Sequence, residues 1–386
     1  MRILLVGDYP DDPRLGSGKV YHKLREEFTR LGHDCRVLLA PELGPRPSSP
    51  RLRWLAGPAL AARAVARAFR EHGRFDVVDA ASAEGAMVGV RRRLGAYRGV
   101  ALVSRSHGLE HLNYRRMLDD AAEGLGSKGW HRRLWYPAAR LSQVALAARL
   151  ADRLIVLNDG DRDFAVGRGW KPADRVDVVP HGVSQRYLDD APPPDAPRGR
   201  GLLFCATWDR MKGVDYLVRA MALLAAGGGA PRLTVLGPGV PEERVLADFP
   251  PEVRPLVAVV PRVGEDEVMR RFREHDALVL SSTYEGFGMV VMEAMSQRLP
   301  VVATAVGGAP ALLGKSGGGV LVPPRDPAAL AAAVRRVMED PALRREMGER
   351  AHRAVRGMSW TATALRTLEV YASAGAMAGE PAAEPV

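Results

Sequence analysis

Residues 276–314 read DALVLSSTYEGFGMVVMEAMSQRLPVVATAVGGAPALLG. No other stretch limits the possible folds so tightly. Ala277–Leu280 is apolar and short, which reads as a buried strand. A loop follows over 281–288. Residues 289–297 then have helical composition, with Val290, Val291, Ala294 and Met295 available for an inner face. Pro300 stops the helix, and 301–303 form the next apolar strand. Strand, helix and strand in that order make a βαβ unit of a layered α/β domain. Gly286 and Gly288 stand at the helix N-terminus. Backbone N–H groups and the helix dipole favour an anion there, and glycine lets a phosphate or sugar approach the main chain. Glu285 and Glu293 are eight residues apart, slightly over two helical turns, so they fall on roughly one side. Taken alone the pair is ordinary, since exposed helices are rich in Glu. Glu293, however, lies among Val291, Met292, Ala294 and Met295, a poor place for a carboxylate without partners.

A chain of 386 residues suggests two domains of ordinary size. The formal charge of +10 favours anionic partners without choosing among nucleotide sugars, nucleic acid and a membrane surface. No aromatic–basic platform or recognised motif supports nucleic acid. Cys35 and Cys205 fall in separate predicted domains, so neither a disulfide framework nor a Cys-rich metal site is indicated. The opening apolar run is too short for a signal peptide, and no stretch approaches a membrane span. These features predict a cytoplasmic protein.

The first half alternates strands and helices from residue 3. The loop 7–18 carries Gly16-Ser17-Gly18 and leads into a helix with Val20, Leu24, Phe28 and Leu31 at helical spacing. The dinucleotide fingerprint is absent. Residues 41–58 read as a Pro/Arg/Ser-rich loop, followed by a helix over 59–69. A strand at 101–104 runs into His107, which lies where parallel sheets bind ligands but equally suits packing. Glu110 and His111 are weaker candidates for acceptor contacts. They would also suit a metal, but no third ligand is evident. Over 128–149, Lys128 and several arginines interleave with Trp130, Trp135 and Tyr136. Such a stretch is compatible with peripheral contact at the inner face of a membrane, although packing on the domain is the favoured reading.

Residues 189–200, DDAPPPDAPRGR, have a linker's composition. Alternation then restarts at 201. Lys212 precedes Gly213 and a helix start, a suitable place for a diphosphate. The chain therefore divides into a first domain over 1–188, a linker over 189–200, a second domain over 201–358 and a last helix over 359–372. Residues 373–386 are small and polar enough for a flexible tail.

Tyr284-Glu285-Gly286-Phe287-Gly288, Glu293-Ala294-Met295, Pro300 to Thr304 and Gly307-Gly308 together resemble the signature of the retaining GT-B glycosyltransferases of family four, the glycogen-synthase-like glycosyl transferases group 1. The resemblance implies an α/β fold of GT-B type: two Rossmann-like doubly wound domains facing across a cleft, the last helix crossing back to the first. It implies transfer of a sugar from a nucleotide diphosphate sugar to a glycan, lipid or small-molecule acceptor, with no metal expected. Glu285 would contact the donor sugar and Glu293 the ribose. Amides of Gly286, Phe287 and Gly288, with Lys212, would hold the diphosphate. Gly16 and Gly18 would lie near the donor phosphates and acceptor, His107 near the transferred sugar, and Val263 against the base. Two positions depart from the family pattern. His181 replaces the usual Asn, and Thr207 stands where an Arg is usual, so Arg210 is the candidate to supply that charge. Two alternatives remain at this point: a nucleotide-sugar epimerase of the same fold, and a binding protein with a degenerate site.

Overall fold

The computed structural model describes residues 1–13, 16–124 and 130–378. Lys128 and positions 379–386 of the expected tail lie outside them. The chain forms two compact units, Met1–His181 with Trp360–Val386, and Gly182–Ser359.

The first unit is built on a six-stranded parallel sheet in the order β2-β1-β3-β4-β5-β6. Its strands are β1 Arg2–Val6, β2 Asp34–Leu38, β3 Val77–Ala81, β4 Ala101–Arg105, β5 Arg153–Val156 and β6 Val176–Val178. Ile3 of β1 pairs with Cys35 on one side and Val77 on the other. β3 and β4 are buried at every residue, as expected for strands covered by helices on both faces. Two of those buried residues are charged. Arg105 pairs with Asp79 at 2.6 Å, and neither side chain is exposed. The Tyr371 hydroxyl donates to the same Asp79 oxygen at 2.5 Å. Tyr371 belongs to the helix Trp360–Ala378, which packs on β4 and on the helix Gly16–Arg30. The C-terminal helix thus completes the first unit's polar core, where an unpaired charge would be costly.

The second unit has a six-stranded parallel sheet in the order β12-β11-β10-β7-β8-β9. Its strands are β7 Leu202–Cys205, β8 Leu233–Leu236, β9 Val257–Val260, β10 Ala277–Leu280, β11 Val301–Thr304 and β12 Gly319–Val322. Leu202, Phe204, Leu217, Met221, Val279 and Val334 are among its core. Both sheets are doubly wound, so the chain contains two Rossmann-like domains. In the second, the strand order reverses between β7 and β10, the usual place for a ligand crevice in such sheets.

Three sequence expectations need correction. The first concerns residues 182–200, which belong to the second unit rather than to a first domain and a linker. Prolines lack N–H groups but keep their carbonyls, and half-buried arginines tie this segment down. Arg298 donates to Pro192 O at 2.7 Å, while Arg198 donates to Phe272 O at 2.6 Å and Gln297 O at 2.7 Å. Residues 41–58 are not one loop either. A helix runs over Pro50–His72 with Pro58 inside it. The hydrogen bond lost at Pro58 is outweighed by burial of Ala61, Ala62, Val65 and Ala68 along the same helix. Finally, residues 373–378 continue the C-terminal helix rather than starting a tail.

Candidate functional site

In the second unit, three loops at the carboxyl ends of β7, β10 and β11 interlock through glycines. The β7 loop begins Thr207-Trp208-Asp209. The Thr207 hydroxyl donates to Asp209 Oδ2 at 2.5 Å, and Asp209 Oδ1 accepts from Lys212 N at 3.2 Å. Thr207, standing where an arginine was expected, thus steadies the turn that presents Lys212. Gly213 follows at φ 66°, and a Cβ there would lie 1.8 Å from Ser281 O. Only glycine allows the β7 loop to approach the β10 loop so closely. Ser281 Oγ in turn donates to Lys212 O at 2.9 Å.

This approach brings Lys212 Nζ to 2.6 Å from Glu285 Oε2. The pair sits at the reversal point between β7 and β10, and both side chains are largely but not fully buried. Gly288 caps the helix Met289–Ser296 at φ 88°, and no side chain caps that helix. The helix Val214–Ala226 likewise starts at Gly213 with no side-chain cap. The first two amides at each end lack intrahelical acceptors, while those of Tyr216 and Val291 donate to the carbonyls of Gly213 and Gly288 at 3.0 and 2.9 Å; free amides so placed favour an anion. Behind Glu285, the β11 loop supplies Gly307 and Gly308. A Cβ on Gly307 would lie 2.1 Å from Glu285 O, and one on Gly308 would lie 2.3 Å from Phe287 O. These glycines fix the backbone of Glu285-Gly286-Phe287.

Of the residues expected on the donor, Lys212, Glu285, Gly286, Phe287 and Gly288 come together here. Phe287 is buried, while Glu293 is half-buried one helix further in. Arg210 is exposed on the Lys212 turn, and its side chain makes no hydrogen bond or ion pair among the described residues. Val263 is half-buried beyond β9, just before the helix Glu265–Glu274.

In the first unit, His107 follows β4 within a cluster of rings. Its Nε2 is 3.4 Å from the Tyr21 hydroxyl, the Tyr9 ring meets it edge-on at 5.4 Å, and His181 stacks on it at 5.6 Å. Burial, then His181 and Arg105, push its pKa well below the ordinary value, and burial drives His181 down to about 3. Both imidazoles are therefore neutral. His107 can exchange hydrogen bonds with a sugar but carries no charge for a phosphate. Gly16 opens the helix Gly16–Arg30 with open space beside it. Gly18 serves packing instead, since a Cβ would lie 2.8 Å from Pro10 O and Asp12 O. His111 packs edge-on against Trp170 at 4.6 Å.

Glu110 belongs to a network that sequence reasoning did not assemble. Arg140 bridges Glu84 and Glu110, at 2.9 Å in each case. Ser82 Oγ donates to Glu110 at 2.6 Å, and the Tyr136 hydroxyl at 3.2 Å. Burial raises the Glu84 pKa against the pull of Arg140, whereas Arg140 and its fellow donors overcome burial to lower that of Glu110. Ser82 holds φ 45°, a strained value for a residue with a side chain. The five polar residues come from three separate segments, so no local pattern announces them.

Comparison with known proteins agrees with this architecture. A family model described as Glycosyltransferase Family 4 matches residues 16–186, and one described as Glycosyl transferases group 1 matches 194–354. The D-inositol 3-phosphate glycosyltransferase of Pseudarthrobacter chlorophenolicus is 31% identical over 320 residues, spanning 78% of this chain and 72% of that one. The protein of the same name from Kineococcus radiotolerans is 35% identical over 262 residues, which is 61% of this chain and 60% of the relative. The alignments thus leave more than a quarter of either relative unmatched. Among solved structures, sucrose-phosphate synthase from Thermosynechococcus elongatus matches with a TM-score of 0.75 at 22% identity, covering 97% of this chain and 99% of that one. Anabaena Alr3699/HepE in complex with UDP and glucose matches with a TM-score of 0.70 at 18% identity, covering 97% and 100%. Both are likenesses of fold. With both halves matched in order and one relative aligned over most of its length, the chain belongs to the family-four, group 1 glycosyltransferases.

Proposed function

We propose that the chain is a retaining glycosyltransferase that moves a sugar from a nucleoside diphosphate sugar to an acceptor hydroxyl. The supporting observation is the Lys212–Glu285 pair at the strand-order reversal, flanked by two uncapped helix N-termini. A diphosphate would draw on the Lys212 ammonium, Arg210 and the first-turn amides after Gly213 and Gly288. These groups stabilise the negative charge that grows on the leaving group. Glu285, released from Lys212, would accept from a sugar hydroxyl, and Glu293 would hold the ribose. The acceptor oxygen bonds to the anomeric carbon as the bond to the diphosphate breaks. Its proton passes to the departing phosphate oxygen on the same face, so configuration is retained.

UDP-glucose is the first donor to try, because the HepE structure holds UDP and glucose. D-inositol 3-phosphate is the first acceptor to try, because the curated relatives carry that name. Purified protein should yield a product heavier than the acceptor by one sugar residue, and proton NMR should show the donor's anomeric configuration in it. An unchanged donor mass with a new sugar isomer would mark an epimerase. Nucleotide binding unchanged in Lys212→Ala, with no product from any donor, would exclude the reading.

A further inference from the structure

The helix Pro50–His72 and the helix Trp130–Tyr136 are eighty residues apart in sequence, yet Trp54 and Tyr136 meet edge-on with ring centroids 5.0 Å apart. Around that contact large apolar side chains stand in solvent. Leu52 is 55% exposed, Leu55 41%, Leu134 67% and Trp135 45%. Exposed arginines interleave with them, at 51, 53 and 133. Residues 50–70 carry five arginines and no acid, and residues 130–150 carry four arginines and no acid. Scattered exposed leucines are common on any protein. Four large apolar groups on two adjoining helices, among arginines and with no carboxylate before Glu71 at the far end of the first helix, are not.

We propose that this face docks on an anionic lipid surface. The chemistry fits an interfacial helix pair: leucine and tryptophan enter the boundary of headgroups and acyl chains while arginines meet lipid phosphates. A protein partner would leave the arginines needing acidic partners that lipid headgroups already supply. The inner side of the same helices is employed, with Ala61, Ala64 and Val65 in the core and the Tyr136 hydroxyl donating to Glu110. The outer side is therefore free to serve a surface without disturbing the polar network. Sequence patterning had indicated only the second of the two helices. The first enters because residues 50–58 are helical.

The test is co-sedimentation of the full chain with vesicles of phosphatidylcholine alone or mixed equally with phosphatidylglycerol. Binding should require the anionic lipid and weaken with salt. The double variants Leu52→Ser/Leu55→Ser and Leu134→Ser/Trp135→Ser should each lower the partition about tenfold, since each withdraws exposed apolar area from the interface. Arg51→Glu/Arg53→Glu should abolish it at low salt. Melting temperature and calorimetric nucleotide binding should stay unchanged in all three, so this proposal can fail while sugar transfer stands, and the reverse. No binding to anionic vesicles would overturn it. So would binding that survives either apolar double variant, or equal retention on heparin with the apolar variants unaffected, which would mark a general polyanion surface.

Discussion

Replacing Glu285 with Gln should tighten the binding of a bare nucleoside diphosphate while slowing transfer. At 2.6 Å the Lys212–Glu285 pair has a gross attraction of about 6 kcal/mol at an effective dielectric of about 20. Desolvation and exchange with water reduce the net value of such a charged hydrogen bond to about 1.5–3 kcal/mol. A diphosphate has to compete with Glu285 for the same ammonium. Gln keeps the shape and one accepting oxygen but removes the charge. Relief of about 1.4 kcal/mol of that competition corresponds to about tenfold tighter binding. On the proposed role of Glu285, the sugar would lose a charge-assisted contact worth about 2 kcal/mol, which would lower the transfer rate about 30-fold. Calorimetry with UDP, GDP and ADP measures the first effect, and single-turnover kinetics with the matching sugar donor the second. Weaker diphosphate binding by a variant with an unchanged melting temperature would refute the competition argument.

Other outcomes follow from the packing. Gly213→Ala should lower stability by about 3 kcal/mol or more in urea unfolding, because its Cβ would lie 1.8 Å from Ser281 O at a positive φ. Gly16→Ala, with nothing within 4 Å, should melt like the parent, so any lost activity would report on ligand contact. Tyr371→Phe should cost about 1–2 kcal/mol through one buried hydrogen bond, and Arg105→Leu about 3–5 kcal/mol, because Asp79 would be left without its cation. The buried Asp161 has a carboxyl pushed up to about 7 by burial. The native state therefore holds a proton that the unfolded chain releases near pH 4, and stability falls as pH rises from about 4 to 7. Asp161→Asn should flatten that slope in urea titrations and gain stability at pH 8; an unchanged slope would disprove the assignment.

Legibility followed the range of the physics involved. Ala277–Leu280 and the helix from Met289 stand where periodicity and glycine punctuation put them, because strand, turn and helix start are local. The Lys212 turn was legible for the same reason, though its partner 73 residues away was not. The helix Pro50–His72 was missed at its start because proline and arginine read locally as loop, while its stability comes from apolar residues further along. The strand β12 was hidden by the run Gly317-Gly318-Gly319, whose close approaches serve packing: a Cβ on Gly318 would lie 2.5 Å from the Ala351 backbone. Glu84, Glu110 and Arg140 could not be joined at all, since only the folded sheet brings their three segments together. The segment 189–200 misled because its prolines suggested freedom, whereas arginines far along the chain hold its carbonyls.

That last feature bears on how such enzymes can be recombined. A chimera spliced inside the proline-rich run would separate carbonyls from the guanidiniums that grip them and leave those arginines without acceptors on one graft. The workable seams are the bonds after His181 and after Ser359, and they are neighbours, since Val183 pairs with Ser359 and its N–H donates to Met358 O at 2.8 Å. An exchanged first unit would have to bring its own final helix, because the tyrosine that completes its core lies there.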